Sequence, residues 1–311
     1  MFGGAVRAWA YHDGVGNAEI EAGAARIAEA IGKHGKVVFF GGAGVSTESG
    51  IPDFRSEKGL YHAQQDYGRS PEELLSYSTF ADDPELFFRY YVENLIDLTA
   101  KPNPAHLAVA ELEKRGFLTA VVTQNIDGLH QMAGSQNVIE LHGSNWRPYC
   151  TQCGKKYSLE WLLDRNNWRV ATKPLPDAAA IPAETNDEWL DNLLATEGKL
   201  APDAAVKFPR DAVVPRCDDD DAIVRPDVVL YGESLSATSM NAAARAINDA
   251  EVLIVAGTSL AVYPAAGLVR VFRGDSLVVI NLSPTDLDAH ADILVTQPVG
   301  QVMAAAIQDL D

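Results

Sequence analysis

The sequence predicts an α/β fold, a doubly wound parallel sheet with a smaller lobe beside it, and three observations lead there. Short apolar runs at 37–40, 119–123, 252–256 and 277–280 read as strands, and the first, with no polar face, as one buried on both sides. Helical patterns separate these runs, and strand–helix alternation through both halves of a chain makes a parallel sheet covered on two faces. Two stretches, 58–100 and 148–222, break that rhythm and leave the sheet to build the second lobe.

Residues 1–16 carry no clear pattern and are expected to form an N-terminal arm. From Asn17 to His34 the residues Ile20, Ala24, Ile27, Ala28 and Ile31 recur at helical spacing, with Asn17 as cap and Gly35 as stop. This helix feeds the strand at Val37. Between Gly59 and Ala100 the pattern is helical, with Pro71 and Pro84 in first turns and Asp82 or Asp83 capping the second of them. Asn103 or Pro104 opens a helix that runs to Arg115 and leads into the strand at Thr119. Residues 138–142 read as a short strand ending in His142.

From Tyr149 to Ala222 the pattern is irregular. It resumes with a strand at 227–231, a helix from Ser236 to Asp249, the strand at Val252 and a helix from Pro264 to Phe272. Strands at 277–280 and 293–295 and a C-terminal helix complete the order. The larger, Rossmann-like domain is therefore assigned residues 17–57, 101–147 and 223–311. The smaller lobe takes 58–100 and 148–222.

The 311 residues can bury an ample core, and 47 % hydrophobic content with 22 % charge is a globular composition. A net charge of −18 argues against nucleic acid, whose phosphates it would repel. It suits a Lys/Arg-rich peptide, and equally it keeps a protein soluble. The apolar runs fall well short of the ~20 residues that cross a bilayer, so no membrane partner is expected. Residues 1–10 lack the apolar segment of a signal peptide, and a cytoplasmic setting is expected. Three cysteines cannot build a disulfide framework, and the C-x-x-C spacing of Cys150 and Cys153 points to metal or redox chemistry. The oligomeric state is not legible in the sequence.

The stretch with most chemistry in it runs from Gly41 to Arg55 directly out of the first strand. Glycines there let the backbone turn sharply, approach a ligand and offer free N–H groups to phosphate oxygens. Gly42-Ala43-Gly44 is followed by Thr47 where the G-x-G-x-x-G fingerprint has its third glycine, so that match is partial. Gln124-Asn125-Ile126-Asp127 lies just past the carboxyl end of another strand, where open parallel sheets bind ligands.

Residues 41–55 as a whole resemble the cofactor loop of the sirtuins, NAD-dependent protein deacylases, and residues 124–127 match that family's second motif. The resemblance covers nearly all of the chain from about Asn17. It implies that Gly42, Ala43, Gly44, Ser46 and Thr47 take the pyrophosphate of NAD. Asp53, Phe54 and Arg55 would fold over the nicotinamide ribose and shield it. Gln124, Asn125 and Asp127 would hold the nicotinamide end, with Asn125 and Asp127 bonding its carboxamide. His142 would be the general base on the ribose, a role suited to a group titrating near neutrality, with His130 as decoy. Gly257-Thr258-Ser259 and Asn281 fall where the family contacts the adenosine ribose, whereas Gln297-Pro298-Val299-Gly300 departs from its closing glycine-acidic element.

Arg225 to Glu233 resembles the strand and loop that pair with the substrate backbone, by strand addition. An acyl-lysine protein or peptide would lie along Val228, Val229, Leu230, Tyr231, Gly232 and Glu233, with Val228 and Leu230, or Val229 and Tyr231, facing the acyl tunnel. The family's structural zinc takes two C-x-x-C pairs. Here Cys150, Cys153 and Cys217 are joined by Asp220 in the fourth cysteine's place, in a zinc-ribbon-like part of the small lobe. Asp218, Asp219 or Asp221 could serve instead, or the cysteines could be plain thiols.

The activity implied is NAD-dependent removal of acyl groups from lysine, giving nicotinamide and O-acyl-ADP-ribose. ADP-ribosyl transfer or NAD hydrolysis at the same site is the alternative enzyme, and a silent NAD-binding interaction module the alternative of another class. Tyr91-Val92-Glu93-Asn94 stands where desuccinylating members carry Tyr-x-x-Arg, so a neutral acyl group is expected.

Overall fold

The computed structural model describes residues 14–52, 64, 66–172 and 211–310. Asp53, Phe54 and Arg55 lie outside the described residues. Ten strands occur among those described: β1 (Val37–Gly41), β2 (Leu118–Thr123), β3 (Val138–Glu140), β4 (Gly143–Cys150) and β5 (Trp168–Arg169), then β6 (Val214–Pro215), β7 (Val224–Val228), β8 (Val252–Ala256), β9 (Ser276–Ile280) and β10 (Ile293–Val295). Six of them form one sheet in the order β3-β2-β1-β8-β9-β10, and every pairing in it is parallel. The chain winds outward from β1 to β3, then returns to the centre and winds outward again from β8 to β10. The order reverses between β1 and β8, and the crevice outside that reversal is where such sheets bind ligands.

Alternation of side chains explains why β1 needs no polar face. Val37 and Phe39 point into one core, against Ile20, Ala24, Ile27 and Ile31 of the first helix and Val302 and Met303 of the last. Val38 and Phe40 point into the other, against Ala243 and Ile247 of the helix Ala237–Asp249 and Leu268 and Val269. A third cluster fills the small lobe. It gathers Phe80, Phe87, Phe88 and Tyr91 from the helices Tyr77–Asp82 and Pro84–Asn94, with Leu159, Leu162 and Val214. Ile223, Val224 and Leu230, assigned by sequence to the larger domain, have their side chains in this lobe's cluster.

Caps form where the residue types demand them. Ser70 and Glu73 make a reciprocal capping box ahead of Pro71, and Asp83 accepts from Leu86 N–H ahead of Pro84. Asn103 caps the helix Pro104–Lys114, and its amide also donates to Val45 O at 2.7 Å.

Four expectations are corrected. The first helix spans Gly14–His34, so its start precedes Asn17 by three residues. The segment after Pro264 is a 3₁₀ helix, Ala265–Val271. The strand at Val138 stops at Glu140, and His142 sits in the turn beyond it. Finally, the strand expected at 227–231 is β7, three residues earlier, and it pairs antiparallel with β4 instead of joining the parallel sheet. β4 and β7 mix polar residues and proline with apolar ones, the pattern of a two-stranded ribbon and not of a doubly covered strand. Gly143 makes the corner possible: its φ is +78°, and a Cβ there would stand 1.9 Å from Asp227 O.

Candidate active site

The register sets Gly41 beside Thr123 on one side and Ala256 on the other, so the loops leaving β1, β2 and β8 emerge together. Backbone packs directly on backbone here. A Cβ on Gly44 would lie 2.8 Å from Gly257 Cα, and one on Gly42 would lie 2.7 Å from Thr258 Cβ. Gly257 itself has φ +58°, and a Cβ there would stand 2.4 Å from Val45 N. Four N–H groups of this loop are used within the protein: Gly42 N–H donates to Ala256 O, Gly44 to Gly257 O, Val45 to Gly42 O and Ser46 to Ala43 O. The glycines serve close approach, because β1 and β8 are adjacent and their loops must cross without side chains between them.

Beyond β2 the segment 124–127 is tied to both neighbouring loops. Gln124 Nε2 donates to Thr258 Oγ1 at 3.0 Å. Asn125 Nδ2 donates to Gly42 O at 3.1 Å and to Ser46 Oγ at 3.0 Å. Asp127 accepts from Ser46 Oγ at 2.6 Å and from Leu129 N–H at 2.9 Å. Three sequence-predicted residues, Ser46, Asn125 and Asp127, are thus one hydrogen-bonded group, Gln124 is tied beside them to Thr258, and the Asp127 carboxylate retains lone pairs for a further donor. Thr47 caps its own turn by donating to Gly44 O, and Ala43 sits between the two packed glycines. Ser259 is exposed beyond Thr258, and Asn281, past β9, turns its amide onto Ser283 O.

His142 is held next to this group through its ring: Nδ1 lies 2.8 Å from Gln124 O. A carbonyl only accepts, so Nδ1 carries the proton and Nε2 keeps its lone pair. Burial holds the imidazole below its usual value, against the opposing pull of that carbonyl. His130 is placed differently. It is 1 % exposed, packed edge-on against Phe39 and His106, with both ring nitrogens buried and unpartnered.

His106 and His130 form the floor under this group. Burial pushes His106 down to about 4, opposed by the charge of Asp127, and His130 down to about 3, helped by His106. Both are neutral in the folded protein near pH 7. The unfolded chain takes up protons at these positions below about 6.5, so the stability they confer is complete above that pH and is lost as pH falls toward about 4 and about 3. Urea unfolding at pH 5.5 should show a stability roughly 2–3 kcal/mol below that at pH 7.5. Equal stabilities at the two pH values would refute this reading.

The segment 228–233 is held from three directions. Val229 N–H donates to His142 O, Tyr231 N–H to Leu75 O, and Tyr77 N–H to Tyr231 O. Val228 and Leu230 are buried, whereas Tyr231 and Gly232 are exposed. The side chain of Glu233 is 5 % exposed and grips Arg225 through two bonds of 2.7 and 2.9 Å while also accepting from Leu230 N–H. It braces the loop from inside, a role its sequence position alone does not disclose.

At the far end of the small lobe, Cys150, Cys153, Cys217 and Asp220 bring their ligand atoms within 4.8 Å of one another. The sulfurs of Cys153 and Cys217 are 3.7 Å apart, close to the ~3.8 Å edge of a tetrahedron with 2.3 Å metal–sulfur bonds. Cys150 Sγ lies 3.3 Å from both Asp220 oxygens. Of the four consecutive acids only Asp220 faces the thiols. Asp218 and Asp219 point at Lys155, and Asp221 pairs with Arg169 at 3.0 Å.

Several contributors went unnoticed in the sequence. Glu48 accepts from Gly300 N–H at 2.7 Å, supplying a carboxylate from the cofactor loop to the altered element at 297–300. Trp146 and Asn145, next to the Leu141–Ser144 motif, bond the backbone of 126–127. Their signal was weak, since both lie on the strand that the polar pattern concealed.

The Sir2 family model matches residues 42–264. Among curated relatives, the NAD-dependent protein deacetylase of Clostridium acetobutylicum is 43 % identical over 277 residues, covering 89 % of this chain and 95 % of that protein. The one of Cutibacterium acnes is 41 % identical over 280 residues, covering 90 % and 96 %. A solved structure of a Sir2 homologue with NAD is 34 % identical with a TM-score of 0.68, covering 92 % of this chain and 93 % of that one. A Sir2 structure with a p53 peptide and NAD+ is 31 % identical at the same TM-score, covering 91 % and 96 %. With a family model matching residues 42–264 and relatives above 40 % identical over about nine-tenths of its length, the chain belongs to the Sir2 family.

Proposed function

We propose that the protein is an NAD-dependent protein-lysine deacetylase, releasing nicotinamide, O-acetyl-ADP-ribose and free lysine. The observation that carries this is the hydrogen-bonded trio of Ser46, Asn125 and Asp127, with His142 held on the adjoining Gln124 carbonyl, at the reversal point of the sheet. Bound NAD supplies an electrophilic ribose carbon once nicotinamide departs. Gly42, Ala43, Gly44, Ser46 and Thr47 line the phosphate end, and Gln124, Asn125 and Asp127 orient the carboxamide. Thr258, Ser259 and Asn281 flank the adenosine ribose. Asp53, Phe54 and Arg55, to which the family resemblance gives the shielding of the reacting carbon, lie outside the described residues. His142, with its proton fixed on Nδ1, accepts a ribose hydroxyl proton at Nε2. The peptide backbone adds as a strand beside 228–233, which fits an exposed Tyr231 and Gly232 on a braced loop.

Relatives named as deacetylases support this reading. So does a Sir2 structure holding a deacetylated p53 peptide with acetyl-ADP-ribose. The deciding experiment incubates the protein with NAD and acyl-lysine peptides and weighs the products. O-acetyl-ADP-ribose with free lysine supports the proposal. Nicotinamide release without deacetylated peptide would make it an NAD hydrolase, and no turnover a silent binding module.

A structural zinc belongs on Cys150, Cys153, Cys217 and Asp220. Three thiolates and one carboxylate at tetrahedral spacing fit that ion, whose contribution would be to hold the lobe and not to react. Among the described residues no helix is long and apolar enough to cross a membrane.

Acyl choice follows from the helix Pro84–Asn94. Tyr91 is fully buried and its hydroxyl donates to Asn145 Oδ1. Glu93 accepts from Tyr67, Asn94 donates to Tyr90 O, and Arg89 lies over the Tyr67 ring. None of these offers a cation to a terminal carboxylate, which buried without one costs several kcal/mol. Acetyl-lysine should be processed at least about tenfold more efficiently than succinyl-lysine in kcat/KM. Equal efficiency on the two peptides would overturn this assignment.

A further inference from the structure

We infer that Trp146 and Asn145 are positioning residues for the segment 125–127, and that Tyr91 ties that segment's placement to the small lobe. The inference rests on the deacetylase reading above. It starts from β4, which leaves the His142 turn and runs beneath the segment. Asn145 N–H donates to Ile126 O at 3.0 Å, and the Trp146 indole N–H donates to Asp127 O at 2.8 Å. Two consecutive carbonyls of the nicotinamide-holding segment are therefore fixed by two consecutive residues of one strand.

The fit around the indole is close. Gly128 has φ +75°, and a Cβ there would stand 2.6 Å from Trp146 Nε1. The backbone can follow Asp127 only because the ring lies against a bare glycine. Asn145 is 4 % exposed and uses both ends of its amide: Oδ1 accepts from Tyr91 Oη at 2.8 Å, and Nδ2 donates to Leu95 O at 3.1 Å. Tyr91 lies in the helix Pro84–Asn94 and Leu95 caps that helix, so its C-terminal turn is bonded to the strand that holds Ile126 and Asp127. The Asp127 carboxylate is oriented separately, by Ser46 and Leu129 N–H. Loss of the indole bond should thus shift the segment without dismantling it, and the effect should fall on the nicotinamide end of the site and not on the peptide edge at 228–233.

The test compares Trp146→Phe and Tyr91→Phe with the unaltered protein. Trp146→Phe keeps an aromatic ring and removes the N–H. It should raise KM for NAD and the nicotinamide inhibition constant about fivefold each, the scale of one lost hydrogen bond, with KM for an acetyl-lysine peptide within about twofold. Tyr91→Phe should show the same split with a smaller amplitude, and it carries the test if the first variant does not fold. Calorimetric NAD affinity, measured alongside, should weaken in parallel with KM. Unchanged NAD and nicotinamide constants, or peptide and NAD constants that rise together with a fall in melting temperature, would overturn the inference. If the unaltered protein shows no deacetylation, the functional reading falls alone, and the calorimetric comparison still decides whether these residues place the segment.

Discussion

Replacing His142 with alanine is expected to lower deacetylation by about 10² or more, the scale of a lost general base. NAD affinity should hardly change, because the contacts that gather Ser46, Asn125 and Asp127 do not pass through the imidazole. The pH profile provides a second check. Nε2 accepts a proton only in the neutral ring, and burial keeps that ring neutral to a lower pH than a free histidine. Activity of the unaltered enzyme should therefore climb through an acid limb centred below about 6.5 and lie flat around neutrality. Near-normal turnover in the alanine variant would remove His142 from the reaction. His130 is poorly placed to replace it, being sealed against Phe39 and His106.

The second large effect is expected at the thiol cluster. Protein purified without chelators should carry about one zinc per chain, and Asp220→Ala should lower both zinc content and thermal stability. Asp220→Cys should retain the metal, since a fourth thiolate suits the same tetrahedron. The loss in the alanine variant should appear first in the small lobe, where Cys150 and Cys217 sit in the same apolar cluster as Phe87 and Leu162. Metal analysis that finds no zinc in freshly prepared protein would sink the assignment.

Where physical pattern is strong, the sequence was read well. Runs such as Val252–Ala256 have one explanation, burial on both faces, and they form the centre of the sheet. The residues that meet beyond those strands were legible for a related reason: a loop leaving a central parallel strand has few places to go. The ribbon β4–β7 was not legible, because its polar and proline residues hide a strand among loop-like neighbours. That omission also hid Trp146 and Asn145. The roles of Glu233 and of the loop glycines depend on what lies opposite them in space, Arg225 in one case and Gly257 in the other. No spacing along the chain reports such partners. Glu48, facing Gly300 from 252 positions away, is the extreme example.

The position of β1 has a further consequence, in the rates at which different parts of the protein exchange their amide hydrogens. β1 is paired along its whole length with β2 on one side and β8 on the other, under apolar cover on both faces. Amides of Val38, Phe39 and Phe40 can meet solvent only when the entire domain opens. The ribbon β5–β6 pairs two residues with two and can open alone at little cost. Exchange should accordingly be slowest directly beneath the cofactor loop and fastest in the small lobe. A molecule built this way can open at the edge of its small lobe while the strands beneath the dinucleotide loops stay closed.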